Sequence, residues 1–314
     1  MQMTTLGKTG LEVSKLGAGL ATIGLRMTRD ELDDAGRALN TFLDNGINFL
    51  DAAECSGIAH EAIGRFVAHR RGEYVVATKV GHNPDGYYLL VGRPWTAKTI
   101  NITLDRILKT LGMDHVDILQ LHSCNMLVLQ RGEAVQALLD LKKAGKTRFT
   151  GYSGDGAEAL WAIRSGHFDT LQTTFNLVDQ RARYEILPEA AKANMGVIIK
   201  RPIANAAWGA SEPPRAVPCD VSETPTLMDY HQRYLAMTEL GLLPANAPAD
   251  RIALAMGFLF AHPKVHTAIA GSRNPAHIKS NIDILENKLP IPTNVVEDLY
   301  RRYDDAGYFW PQWG

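Results

Sequence analysis

The feature that most constrains this chain is an alternation. Short runs rich in β-branched and apolar residues recur along nearly all of its 314 residues, and helix-patterned sequence separates them. The runs read as strands at 14–17, 47–51, 74–79, 116–122, 148–153, 170–175, 197–201 and 266–271. Near-continuous apolarity marks strands covered on both faces, which is the habit of parallel sheets. Parallel neighbours need long crossovers, and the intervening sequence supplies them. The segment 29–45 places Leu32, Ala35, Leu39, Phe42 and Leu43 on one helical face and ends at Gly46; 96–111 opens on Thr96 as an N-cap and stops at Gly112; 133–144 stops at Gly145. Eight successive strand–helix units favour closure into a (β/α)8 barrel. The competitor, an open doubly wound sheet, would normally carry a glycine-rich turn after its first strand, and Gly17-Ala18-Gly19-Leu20-Ala21-Thr22 lacks the third glycine.

Two additions frame the alternation. Residues 4–6 and 11–13 flank Gly7-Lys8-Thr9-Gly10 and read as a small hairpin, and 227–242 reads as an extra helix before the last unit. The expected architecture is an α/β protein: a TIM barrel with an N-terminal β-hairpin and extra C-terminal helices, one domain over 1–314. Hydrophobic residues at 46% and charged residues at 21% are enough for a large core.

Other classes are disfavoured. A net charge of -1 offers no basic excess for a nucleic acid. No apolar run approaches the roughly 20 residues that span a bilayer, and the first residues lack the apolar stretch of a signal peptide. Cys55, Cys124 and Cys219 are odd in number and unclustered, so reduced thiols in a cytoplasmic protein are expected, with neither a disulfide framework nor a metal site. Two long loops, 82–93 with Tyr87 and Tyr88 and 202–226 with Trp208, read equally as lids or as surface decoration.

In barrels of this kind chemistry sits where strands end. Asp51, Lys79, His122 and Ser153 end four successive strands; Gln172 lies on the next, Lys200-Arg201 end the seventh and Gly271-Ser272-Arg273 follow the eighth. Each alone has a bland reading as a cap, an ion pair or a satisfied core group. Their shared phase along successive strands points to one rim. An Asp–Lys pair beside a histidine can orient a carbonyl and protonate an alkoxide as hydride arrives.

Several segments, in order, resemble the aldo-keto reductases: LGKTGLEVSKLGAGL, GINFLDAAECSGIAHEAIG, ATKVG, DILQLHS, GYSGD, LQTTFN, KRPIA and IAGSRNPAHIKSN. The resemblance runs from about residue 6 to about 285. It implies a barrel that binds NADP(H), with NAD(H) as the alternative, and acts on a small carbonyl or alcohol substrate. It places Asp51, Lys79 and His122 in the family's catalytic tetrad, and Ser153 and Gln172 against the nicotinamide carboxamide. Lys200, Arg201, Gly271, Ser272, Arg273, His277 and Asn281 fall on the cofactor-binding segments, with Ser272, Arg273 and Asn281 toward the 2′-phosphate and adenine. The resemblance says nothing of oligomeric state.

The fourth tetrad position departs. Counted from Asp51, the family's tyrosine falls on Ser56, whose short hydroxyl is a far weaker acid than a phenol of pKa about 10. Gly154 stands where a carboxamide-binding Asn is usual, Lys200 where an aromatic ring stacks on the nicotinamide, and His277 where some members carry Arg. Three readings follow. Another group (Tyr87, Tyr88, Lys79 or His122) gives the proton; or the scaffold runs changed chemistry, such as a lyase or a redox step with an embedded cofactor, with Glu54, Cys55 and His60 as new titratable groups; or the protein binds nucleotide without turnover. Reduction of an aldehyde or ketone with an altered proton donor is the first expectation.

Overall fold

A computed structural model describes residues 1–82, 94–208, 227–310 and 312. A two-stranded antiparallel hairpin, β1 (Met3–Thr5) and β2 (Glu12–Ser14), precedes eight strands: β3 (Leu16–Gly19), β4 (Phe49–Asp51), β5 (Val75–Val80), β6 (Val116–His122), β7 (Thr147–Ser153), β8 (Thr170–Thr174), β9 (Gly196–Lys200) and β10 (Thr267–Ala270). Each of β3 to β9 pairs in parallel with the next, and β10 pairs with both β9 and β3, closing the barrel. The α/β barrel, the hairpin and the C-terminal helices are as the alternation predicts. Strand limits differ by one or two residues. The run at 14–17 divides between β2 and β3, because the chain leaves the hairpin at Lys15 before it enters the barrel.

Helix boundaries follow local chemistry. Helix Ala97–Leu111 starts where Thr96 accepts a hydrogen bond from the Thr99 N–H at 3.2 Å, and it stops at Gly112 in the left-handed region with φ +66°. The predicted helix at 29–45 opens as a 3-10 turn, Arg29–Glu31, under a Thr28–Glu31 capping box, and becomes α-helical over Leu32–Asp44. Helix Thr293–Ala306 packs Val295, Val296, Leu299 and Tyr303 inward.

Alternation along the strands sorts the barrel interior into layers. At the lower end Phe49, Val75, Ala77, Ile118 and Ile198 form one apolar cluster, with Leu6, Leu11 and Val13 of the hairpin closing it from below. Phe49 is fully buried, and truncating such a ring to Ala costs about 3–5 kcal/mol. Two residues further along β4 and β6 the same interior phase carries Asp51 and Gln120, and β8 adds Gln172. Polar groups therefore meet above an apolar floor, at the ends where the βα loops begin. No helix among the described residues is long and apolar enough to cross a membrane.

Candidate active site

Asp51 and Lys79 end in an ion pair inside the barrel. Lys79 Nζ lies 2.6 Å from Asp51 Oδ2 and donates also to the Ala52 carbonyl at 2.9 Å. Both residues are buried, at 4% and 5% exposure. Asp51 Oδ1 accepts from the Gln172 amide at 2.9 Å and, weakly, from Gln120 at 3.4 Å. Ser153 donates to Gln172 Oε1 at 3.0 Å. Register explains this chain: His122 faces Ser153 across β6 and β7, and Ser153 faces Gln172 across β7 and β8.

His122 approaches a carboxylate that neither its strand nor the next supplies. Glu54 Oε2 lies 3.3 Å from His122 Nδ1, close but without hydrogen-bond alignment. Glu54 Oε1 accepts from the His82 backbone N–H at 2.8 Å. Burial by itself raises the Glu54 pKa, but the charge of nearby His122, and then of His82, outweighs it and holds the carboxyl below its ordinary value. The His82 and His122 rings stack at 4.2 Å, and Trp95 meets His82 edge-on at 5.3 Å while donating to the His122 carbonyl at 3.3 Å.

The turn that carries Glu54 is fixed by two glycines. A Cβ at Gly24 would lie 1.7 Å from the Ser56 carbonyl, and one at Gly57 (φ +46°) 2.0 Å from the Gly24 carbonyl. Helix Ala21–Arg26 thus presses backbone to backbone on 53–57. Ser56 is held there at 2% exposure, its N–H on the Ala53 carbonyl. Among the described contacts none joins the Ser56 side chain to Lys79 or His122. His60, on the following helix, bonds Thr78 Oγ1 at 2.9 Å, and burial pushes its pKa down to about 4, so it is neutral at pH 7.

The expectation of three reduced thiols needs correction. Cys55 is disulfide-bonded. Cysteine count and spacing in sequence carry no information on which side chains the fold brings together. Cys124 is free and buried, and burial pushes its thiol up to about 12.

The remaining candidates lie around the same end. Lys200 Nζ pairs with buried Asp155 at 3.0 Å, and Asp155 also accepts from Thr173 Oγ1 and the Thr174 N–H, each at 2.6 Å. Arg201, with φ +54°, reaches Thr174 Oγ1 at 3.4 Å. Beyond β10, Gly271 packs on Gly19 and Thr22, a place where a Cβ would meet Thr22 Oγ1 at 2.3 Å. Ser272 Oγ accepts from the Asn274 N–H at 3.1 Å, and Asn274 caps helix Pro275–Asp283 through the Ala276 N–H. Arg273 and His277 are exposed and Asn281 is half-buried. Arg273 lies 3.6 Å from Glu31. Trp208 is buried and packs on Tyr234 at 4.7 Å, as a core residue does. Tyr87, Tyr88 and most of the two long loops fall outside the described residues. A cleft of about 370 Å³ opens at the opposite end, beside Arg71, Asp117 and Arg148. Its charges neutralise one another, since Asp117 pairs with Arg71 at 2.7 Å and with Arg148 at 2.8 Å.

Sequence reasoning singled out Asp51, Lys79, His122, Ser153, Gln172, Lys200, Arg201 and the 271–273 segment, missed Gln120, His82 and Asp155, and left Glu54 as a member of a reserve group. The signal was available: an acid three residues after Asp51, in the βα loop, had no helix-capping role.

Comparison with known proteins now decides the family. The model of the aldo/keto reductase family matches residues 15–299. The chain belongs to that family. It is 25% identical over 295 residues to L-galactose dehydrogenase of Arabidopsis thaliana, covering 90% of this chain and 87% of that one. It is 25% identical over 312 residues to D-threo-aldose 1-dehydrogenase of a Pseudomonas species, covering 90% and 92%. A solved aldo-keto reductase from Bacillus halodurans, in its holo form, superposes with TM-score 0.76 at 23% identity over 96% of each chain, which shows the shared fold. The protein is thus an oxidoreductase of aldo-keto reductase type.

Proposed function

We propose that this aldo-keto reductase reduces a small aldehyde or ketone with NADP(H), NAD(H) being the weaker alternative, and that His122 backed by Glu54 delivers the proton a phenol would otherwise give. The observation that carries this is the His122 Nδ1–Glu54 Oε2 approach of 3.3 Å in the same mouth as the 2.6 Å Asp51–Lys79 pair.

The residues fit a dinucleotide. Arg273 offers a fork of N–H donors to a phosphate, next to the N-terminus of helix Pro275–Asp283, which favours anions. His277 and Asn281 follow one turn apart along that helix, on its accessible side. Ser153 and Gln172 are a buried hydroxyl–amide pair of the kind that orients a carboxamide. When bound, the reduced dinucleotide supplies the hydride to the carbonyl carbon.

The chain's own residues handle charge and proton. Lys79 sets a positive charge beside the mouth, and Asp51 with the Ala52 carbonyl fixes its direction. Glu54 facing Nδ1 leaves Nε2 of His122 as the donor to the carbonyl oxygen, and its charge stabilises the imidazolium on the way. Ser56 contributes its backbone to the turn and no proton.

The test is oxidation of NADPH with a panel of aldehydes and ketones, after NADPH binding has been measured by fluorescence. Turnover is expected for wild type, Ser56→Ala, Tyr87→Phe and Tyr88→Phe, and a loss for His122→Gln. Tight NADPH binding with no oxidation by any carbonyl would make the protein a nucleotide binder instead. Failure to bind either NADPH or NADH would remove both readings and leave changed chemistry.

A further inference from the structure

Cys55, His82 and His122 each offer one ligand atom, and these atoms lie within 4.8 Å of one another. They come from three places: the turn after β4, the loop after β5 and the end of β6. Glu54 ties them together. It precedes Cys55 in the chain, accepts from the His82 N–H at 2.8 Å and faces His122 Nδ1 at 3.3 Å. Its Oε2 is buried and has no hydrogen-bond partner. A buried carboxylate behind a histidine is the arrangement that orients imidazole ligands of metals. One sulfur and two imidazole nitrogens match the donor preference of zinc, and three protein ligands leave the fourth tetrahedral position open.

We infer that, once its disulfide is reduced, Cys55 joins His82 and His122 in a site for a divalent zinc-class cation. Two geometric conditions follow. Zinc–ligand distances of 2.0–2.3 Å put tetrahedral donors about 3.4 Å apart, so the two rings, now stacked at 4.2 Å, must turn toward one another. Both histidines are half-buried, and Trp95, edge-on to His82 at 5.3 Å, borders that ring. The sulfur must also be released. A dithiol breaks the S–S bond, giving two electrons and two protons and becoming a disulfide itself; two protein thiols form, and the Cys55 proton passes to solvent when sulfur takes the metal.

The consequence for catalysis rests on the reading of His122 as proton donor; the binding does not. A metal on His122 removes it from proton delivery, so the cation acts as a thiol-dependent inhibitor.

Binding is therefore measured without nucleotide or carbonyl. The chain is reduced with a dithiol, freed of it anaerobically, and titrated with Co²⁺, then with Zn²⁺ against a chromophoric chelator. One equivalent per chain is expected, with thiolate-to-cobalt charge-transfer absorption. Cys55→Ser and His82→Ala each weaken binding tenfold or more, and Glu54→Gln weakens it about 10–100-fold as orienting partners do. Thermal melts check that the variants fold, and His82→Ala, at a half-buried loop position, keeps the test open if Cys55→Ser does not. The oxidised chain binds at least tenfold more weakly than the reduced one. No stoichiometric binding after reduction, equal binding before and after it, or binding indifferent to both Cys55→Ser and His82→Ala would overturn the site. Zinc that binds as described yet leaves NADPH oxidation untouched keeps the site and refutes His122 as the proton donor.

Discussion

Replacing Lys79 with methionine removes an ammonium while keeping the bulk of its stem. Asp51 then stays buried with the Gln172 amide at 2.9 Å and Gln120 at 3.4 Å in place of a 2.6 Å ion pair. Removing one partner of a buried pair costs about 3–5 kcal/mol, most of it the uncompensated charge left behind. Asp51→Asn strands the ammonium in the same way, with only the Ala52 carbonyl at 2.9 Å. The double variant Asp51→Asn/Lys79→Met holds no charge at the pair. Its destabilisation therefore falls short of the sum of the single changes by about 2–3 kcal/mol, the upper part of the range for residues in contact. Urea unfolding of the four proteins at pH 7, followed by tryptophan fluorescence, gives the cycle. Additivity within about 0.5 kcal/mol would refute the reasoning, since it would mean that the two charges do not sense each other.

Arg273→Ala removes an exposed side chain whose ion pair with Glu31 at 3.6 Å is worth less than about 1 kcal/mol, so the melting temperature stays within a few degrees. Its NADPH affinity, measured by fluorescence titration, falls about 10–100-fold with little change for NADH, as loss of a charged hydrogen bond to a 2′-phosphate requires. His60 binds a proton near 6.5 in the unfolded chain and only near 4 when buried. Between those values the unfolded state holds more protons, so stability is full above pH 6.5 and falls by about 3 kcal/mol as pH drops to 4. His60→Gln, which keeps a bond to Thr78, flattens that slope in chemical denaturation at a series of pH values. Asp179 behaves oppositely: burial, only partly offset by Arg233 at 3.6 Å, raises it from 3.8 to about 7. The folded state holds more protons there, so its contribution is present below pH 3.8 and is lost as pH rises through 7. Asp179→Asn therefore melts above wild type at pH 8, and the gap narrows at pH 5. The two slopes oppose each other, so each variant is compared with wild type rather than read from the wild-type curve alone.

How much of this was legible in the sequence follows from distance along the chain. The barrel was, because strand runs and helix stops such as Thr96 and Gly112 are local signals. The Asp51–Lys79 pair and the placing of His122 were as well, because period-two alternation fixes which strand-end side chains point inward. Glu54 escaped emphasis because its value lies in meeting His122, 68 positions later, across two strands. The Cys55 disulfide escaped because no periodicity encodes which thiols the fold brings within bonding distance. The helix read at 29–45 becomes α-helical only at Leu32, the first residue of its apolar face, because 29–31 form a 3-10 turn under the Thr28–Glu31 capping box.

Single-turnover oxidation of bound NADPH by an accepted aldehyde, compared between wild type, Ser56→Ala, Glu54→Gln and His122→Gln, bears most directly on the proton donor. A positioned general acid contributes about 10²–10⁴-fold. Rates within about twofold of wild type for Ser56→Ala, with losses of at least about a hundredfold for His122→Gln and a clear loss for Glu54→Gln, are expected. A collapse in Ser56→Ala alongside an unaffected Glu54→Gln would contradict it.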